Sequence, residues 1–395
     1  MTQPIYRLLA ATDLERFIEI ETLAFNINPD RSRLTPQVVA QLRALYDGDR
    51  ILAQLQLMPL QIMAGSANLP CGGIGSVATP PEARRQGHVA ALMRHVCDEI
   101  RSQGIALCML YPFNRSFYHR YGWAMFMERR VYRGSPELFA HFCRSVGDFV
   151  QVGPEAIPEL QQIYAGALRG RFGPVVRDET WWQRDVLRGW GNETYYAYIW
   201  RDSDGVGRAY LIYQLSPYGQ PERRLTCREI VALDPEARSQ LFVFLRNYDS
   251  QCDEVLFRAP ADAPVNMLMI EPLRCEIEPH FMLRLIDVGV ALETFPYPPG
   301  SAGRLRIAVT DDWLKHNKGV FELEIAGGQA RCKLLPSESD ADLACDVRVL
   351  TQIYARYLRA RSAAAFGLLT VNDRAALALL DRLFAGLAPF NSDFF

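Results

Sequence analysis

The spacing of apolar and polar positions changes several times along the 395 residues, and each change marks an element. Residues 12–25 open on Thr12 and Asp13 and carry apolar residues at helical spacing, which predicts a helix. Residues 51–63 alternate like a half-buried strand, and the glycine-punctuated run 69–78 reads the same way. Helical spacing returns over 87–101, and 106–111 is a short apolar run that predicts a buried strand. Strand, glycine loop, helix and strand together predict an α/β crossover with parallel pairing. A short helix is expected from Asn114 to about Tyr121, with Gly122 as its C-terminal stop.

The pattern then repeats in the same order. Helices are predicted at 154–168 and near 178–188, and strands at 194–200, 209–214 and 229–233. A helix over about 235–250 and a strand at 254–258 complete the unit. The Pro-Pro-Gly run at 298–300 reads as a linker. Beyond it come strands at 305–310, 320–325 and 330–335, helices at 347–360 and 372–387, and an aromatic tail, FNSDFF, at 390–395. The expected domains are 1–146, 147–290 and 291–395.

One motif occurs twice. VATPPEARRQG at 77–87 returns as VALDPEARSQL at 231–241. An internal repeat at this separation implies two related domains rather than a solenoid. The first copy has Arg85 and Gly87; the second has Ser239 and Leu241 in their places. The frame is kept and the means of holding an anion is lost, so one domain is expected to work and the other to support it.

Composition narrows the class without changing this picture. The chain is 49% hydrophobic and 22% charged with a formal net charge of -2, ordinary for a globular protein and without the basic excess of a nucleic-acid binder. Nine cysteines occur with no CxxC pair, which fits a reducing cytoplasm. No secretory signal is read at the start of the chain and no apolar run has the length of a membrane span. The six histidines lack metal-ligand spacing, so no metal is expected.

A helix N-terminus offers unpaired amides and the positive end of a dipole, so it suits a pyrophosphate. Arg84, Arg85, Gln86, Gly87, His88, Val89 and Ala90 place a glycine where backbone must approach such a group, with two arginines to complement its charge. Read alone, the run is also compatible with a packing turn and solvated arginines; the strand before it, the helix after it and the altered duplicate favour the anion site.

On these residues, the segment resembles the acetyl-CoA-binding motif of the GNAT acetyltransferase superfamily. The whole chain resembles the enhanced intracellular survival (Eis) family within it, a likeness also carried by FYHRYGW at 117–123, QARC at 329–332 and an aromatic last residue. The resemblance implies an α/β (α+β) fold: two tandem GNAT-like domains with central mixed sheets, the second without cofactor, and a C-terminal sterol carrier protein-like α/β domain. It implies acetyl-CoA as co-substrate, with Val77, Ala78 and Thr79 along the pantetheine arm and acetyl group, the amides from Arg85 to Ala90 on the pyrophosphate, and Phe113 and Asn114 across the cleft where two strands splay. One departure is that the pattern ends Gly87, His88, Val89, with Ala90 one place late.

The resemblance also implies the proton chemistry of transfer to a primary amine. Tyr118 corresponds to the general acid; a phenol can protonate a departing thiolate when both are held in place. Tyr121 and Tyr111 are the other tyrosines near it, and a core tyrosine with a satisfied hydroxyl is the competing reading of Tyr118. The base corresponds to the C-terminal carboxylate, here on Phe395, a poor base in water that burial beside Phe394 strengthens; a frayed tail is the competing reading.

The acceptor is expected to be a small-molecule amine, aminoglycoside-like or other. Asn26, Ile27 and Asn28 stand where an acidic pocket residue would be sought, and Phe394 stands where a penultimate carboxylate would help. Of Glu19, Glu21, Asp30 and Asp393, the helix glutamates read as a solvated face. The expectation is a less acidic, more aromatic pocket favouring a partly apolar amine. A protein lysine acetyltransferase and a non-catalytic ligand-binding protein are the alternatives. No nucleic-acid or membrane partner is expected, and the resemblance implies a hexamer.

Overall fold

In the computed structural model, residues 4–188, 194–217, 219–336 and 338–395 are described; the start of the chain read for a signal lies partly outside them. The alternating runs form β1 (Arg50–Ala64) and β2 (Ala67–Ala78), preceded by the helix α1 (Leu14–Phe25). β1 and β2 pair antiparallel from Ala64 and Ala67 back to Gln54 and Ala78. Near its end β2 carries one residue more than its partner: Gly75 faces Gln56 and Ala78 faces Gln54. The extra length is taken up at Ser76, whose φ is 51°, which makes a bulge that bends the strand and re-aims its side chains.

The crossover expected from sequence is present. The helix α2 (His88–Ser102) buries Leu92, Met93, Val96, Cys97 and Ile100 on one face and leads to β3 (Leu107–Leu110), parallel to β2 from Cys71 and Leu107 to Ile74 and Leu110. All four β3 residues are buried, as a central strand covered on both faces requires. Beyond Ile74 the pairing with β3 ends, and β2 continues through its bulge paired only to β1. The short helix α3 (Arg115–His119) follows, started by the Asn114 side chain, which accepts from the Phe117 amide at 3.1 Å.

By its internal contacts the chain forms two units. One comprises residues up to Phe126, His280–Gly386 and Phe394–Phe395; the other comprises Met127–Pro279 and Leu387–Asp393. In the first, the strand order is Ile5–Leu8, Leu42–Asp47, β1, β2, β3, Met282–Leu285, Ala124–Met125. Met282–Leu285 lies antiparallel to β3, although it is more than 170 residues away in sequence and its short apolar run carries no mark of its partner. Arg284 on that strand is wholly buried, bonded to Asp311 and to the Gly122 carbonyl. The same unit holds a second sheet in the order Gln329–Leu335, Gly319–Ala326, Gly303–Thr310, Leu343–Asp346, Leu369–Val371.

The helix expected over 347–360 is two helices, Val347–Tyr354 and Ala360–Ala365. Arg356 breaks the run in a left-handed conformation, φ 63°, with its guanidinium 5.4 Å from the centre of the Phe295 ring. Helical spacing of apolar residues cannot reveal such a break when tertiary contacts impose it.

The other unit is built on a sheet in the order Arg274–Pro279, Glu128–Gly134, β5 (Glu254–Pro260), β4 (Arg224–Ala232), Gly207–Leu215, Tyr196–Arg201, Asp148–Val152. The helix α4 (Pro235–Arg246) joins β4 to β5, which are parallel over Arg224–Thr226. The duplicated motif thus occupies the same crossover in both units.

Candidate active site

The bulged end of β2, the turn after it and α3 enclose a cleft of about 360 Å³ lined by Val77, Ala78, Thr79, Arg84, Arg85, Val89, Phe113 and Phe117, with Ala24 and Phe25 of α1. The cleft opens where β2 and β3 separate, because β3 ends at Leu110 while β2 runs on to Ala78.

The turn is shaped by two left-handed residues, Arg85 at φ 60° and Gly87 at φ 83°. A Cβ built on Gly87 meets nothing within 4 Å, so conformation rather than crowding calls for glycine there. Gly87 accepts from the Ala91 amide at 3.1 Å and provides no side-chain cap. The first-turn amides of His88, Val89 and Ala90 are therefore left without partners inside the helix. Arg85 is exposed and makes no ion pair among the described residues, while Arg84 donates to the Thr79 carbonyl at 3.2 Å. Gln86 bonds the Glu82 carbonyl at 3.1 Å and lies 3.3 Å from the His88 ring nitrogen, so their side chains brace the turn. Free amides, two arginines and an open approach suit a pyrophosphate.

The second copy is built differently. Its helix starts seven residues earlier relative to the motif, at Pro235, and Asp234 caps it by accepting from the Ala237 amide at 2.9 Å and from Arg208. Leu241, in the place of Gly87, is 1% exposed inside α4 and packs in the core of that unit. A carboxylate stands where an anion would bind, and the glycine turn has become helix.

Phe113 is exposed at the cleft, with its ring centre 5.2 Å from Phe117 and 5.4 Å from Tyr118. Asn114 turns its side chain inward to cap α3 and is not among the lining residues. Tyr118 is 2% exposed, and its hydroxyl has no hydrogen-bond partner among the described residues. Burial raises the phenol well above its usual value. Tyr121 packs against Phe117 and Trp313, and Tyr111 against His280, Phe281 and Phe394.

The last residues are docked. The Phe395 ring lies 4.9 Å from Phe281, centre to centre, and its edge comes within 3.3 Å of a Cβ built on Gly73. Its carboxyl carbon is 3.5 Å from a Cβ built on Gly75, beside the bulge. Asp393 is buried in the other unit, where Arg177 reaches it at 3.1 Å and also binds Glu229, and the Trp181 indole donates to it at 2.9 Å. Asp30 caps a short turn through the Ser32 amide. Asn26 ends α1 in the left-handed conformation, φ 52°, a position asparagine tolerates.

One expectation about the helix glutamates is corrected. Glu19 is solvated and paired with Arg16 at 2.8 Å, but Glu21 is half-buried and accepts a 2.5 Å hydrogen bond from the Ser76 hydroxyl. Two positions apart on a helix are about 200° apart around it, so only the residue facing the bulge is enclosed. Ser76 itself carried no signal, because a single inserted residue leaves the strand pattern readable.

Comparison with known proteins agrees with this fold. Models described as "Acetyltransferase (GNAT) domain" match residues 5–126 and 173–285, and one described as "Sterol carrier protein domain" matches 288–392. An N-acetyltransferase of Streptomyces avermitilis is 27% identical over 78% of this chain and 78% of its own. The N-acetyltransferase Eis of Mycobacterium tuberculosis is 25% identical over 88% of this chain and 86% of its own. A GCN5-related N-acetyltransferase from Anabaena variabilis has the same fold, with a TM-score of 0.89 at 24% identity and full coverage of both chains. The chain is an acetyltransferase of the GNAT class. Its two GNAT domains and sterol carrier protein domain, with the likeness to Eis, support placing it among Eis-like proteins. Among the described residues no helix is long and apolar enough to cross a membrane, and no group of His, Cys, Asp and Glu is arranged to hold a metal.

Proposed function

We propose that the chain transfers an acetyl group from acetyl-CoA to a primary amine of a small, partly apolar molecule, with Tyr118 as general acid and the α-carboxylate of Phe395 as general base. Acetyl-CoA supplies the acetyl group as a thioester. Arg84, Arg85 and the amides from Arg85 to Ala90 hold the pyrophosphate, and Val77, Ala78 and Thr79 guide the arm toward the bulge. The amine nitrogen bonds to the acetyl carbon as the carbon–sulfur bond breaks. The amine proton passes to the Phe395 carboxylate, and the departing sulfur takes the Tyr118 hydroxyl proton.

The observation that carries this reading is the docking of the Phe395 carboxyl carbon against Gly75, two residues before the lining residue Val77. A second support is the Tyr118 hydroxyl, which makes no hydrogen bond among the described residues and is therefore available to a departing sulfur, while the rings of Phe113 and Phe117 pack on its phenol. The rings of Phe25, Phe113 and Phe117 favour an acceptor with an apolar body over a polycation. The reading includes one acetyl-CoA per chain, a homo-oligomer that is a hexamer by family likeness, and a cytoplasmic location.

A panel of amines assayed by release of free CoA thiol tests it. Turnover of monoamines with apolar tails is expected to exceed that of kanamycin-type polyamines; equal or better turnover of the polyamines overturns the acceptor preference, and no thiol release from any amine overturns the reaction.

A further inference from the structure

Loss of the glycine turn has not closed the second crossover. β4 and β5 pair with each other only over Arg224–Thr226 and Glu254–Leu256. Past that point β4 stays bonded to Gly207–Leu215 as far as Ala232, and β5 to Glu128–Gly134 as far as Pro260. Each strand keeps its outer neighbour while the two part from one another. The gap is a cavity of about 430 Å³, and every residue lining it belongs to this unit. One side is formed by Val231 and Ala232, the counterparts of Val77 and Ala78. The volume is that of a small-molecule site, for which about 300–1,000 Å³ is usual.

Most of the lining is apolar. Leu168, Leu241, Phe242 and Phe257 are buried there, and the apolar wall reaches solvent at Met267 and Leu268. Phe390 forms a further wall. The chain around it is fixed because Arg171 donates to the Ala388 carbonyl and to Asp262, both at 2.8 Å, and the Phe390 amide donates to the Phe172 carbonyl at 3.1 Å. A copy that only supports its neighbour gains by filling such a space with its own side chains, since an unfilled wall forfeits packing contacts.

The charged groups of the lining are Arg171, Arg238, Arg258 and Asp262, an excess of cations. Asp262 is engaged by Arg171 and by the Ala388 amide at 3.0 Å. Arg258 reaches Glu278 at 3.3 Å, and Arg129 holds the same carboxylate at 2.6 Å. Arg238 stands at the motif position of Arg84. Arg84 donates to the Thr79 carbonyl, whereas the Arg238 guanidinium makes no hydrogen bond or ion pair among the described residues. The duplicate has thus kept one of the two arginines and lost the open amides, which suits a single negative charge in place of a pyrophosphate.

We propose that this cavity binds an apolar monocarboxylate, its body among Leu241, Phe242, Phe257 and Phe390 and its carboxylate on Arg238. The second crossover is then a binding site in its own right, for a ligand unlike acetyl-CoA. The site is independent of the acetyl transfer proposed above.

Decanoate is the probe, titrated calorimetrically into the full chain with CoA at saturation so that the first cleft is occupied. One saturable site per chain is expected. Decylamine, with the same chain length and the opposite charge, should bind at least about 10-fold more weakly. Arg238→Gln, a change at an exposed position of α4, is expected to raise the decanoate Kd by about 5- to 10-fold, a modest loss for a charge-assisted bond because the arginine is exposed. Ala167→Trp fills the cavity from the end of the helix Ile157–Leu168 and should abolish decanoate binding, with circular dichroism to show that the variant is folded. The site is overturned by the absence of saturable decanoate binding to the wild-type chain, or by a decanoate Kd unchanged in Arg238→Gln or in folded Ala167→Trp. Decylamine binding as tightly as decanoate overturns the carboxylate assignment.

Discussion

The carboxyl carbon of Phe395 lies 3.5 Å from the point where a side-chain carbon on Gly75 would stand. The glycine therefore gives the end of the chain a flat seat on β2. One added methyl makes ordinary contact there and 3.3 Å contact with the Met58 methyl, whereas a branched side chain occupies the seat. Gly75→Val is predicted to lower kcat by about 100-fold, because a displacement near 1 Å is enough to misplace a proton acceptor. Gly75→Ala should cost far less. Steady-state kinetics, with the CoA Kd as the control, checks both.

Tyr118 offers a cleaner separation of structure from chemistry. Its hydroxyl makes no internal hydrogen bond among the described residues, so Tyr118→Phe removes a proton donor without orphaning a partner. The expected result is a fall in kcat of roughly 100- to 10,000-fold, the range for a lost general acid, with the thermal midpoint unchanged. Burial raises the phenol, so it remains protonated above its ordinary value. The sign follows: activity should not decline through Tyr118 ionisation as pH rises to about 10. A basic limb that disappears in Tyr118→Phe would contradict this.

The two motif copies predict a stoichiometry. Gly87 holds φ 83° with three unpartnered amides after it, whereas Leu241 is buried in a helix that Asp234 already caps. Titration calorimetry should find one CoA per chain. Gly87→Val, strained in the left-handed region, should abolish that binding event without unfolding the protein. Leu241→Ala should instead destabilise the fold by about 2–5 kcal/mol, as removal of a buried leucine does.

Arg177 is the cation of a buried network in its unit, bound to Glu229 and Asp393 and lying 4.0 Å from the Tyr164 ring centre. Removing it strands two buried carboxyl groups. Arg177→Met is predicted to cost about 3–5 kcal/mol in chemical denaturation, and Arg177→Met with Glu229→Gln to recover part of it. A midpoint equal to wild type would contradict the network's role.

The duplicated motif, the β2–α2–β3 crossover and the position of α3 were legible because each depends on local periodicity and a nearby glycine. Met282–Leu285 was not legible as a partner of β3, since pairing across the whole second unit leaves no local trace. Glu21 shows the same limit within the site. Its sequence neighbourhood matches that of Glu19, and only the bulge at Ser76 gives one glutamate a half-buried partner while the other stays in solvent. Asn26, sought as the place of an acid, is a helix stop with a backbone reason of its own.

The most direct measurement is of turnover in a protein whose last residue is altered. Removal of Phe395, or extension of the chain beyond it, takes the α-carboxylate from its seat on Gly75 and leaves the turn at Gly87 intact. The account predicts a kcat reduced by about 100-fold or more, as for a lost general base, with the CoA Kd unchanged. Unaltered kcat in both proteins would contradict the role of the Phe395 carboxylate.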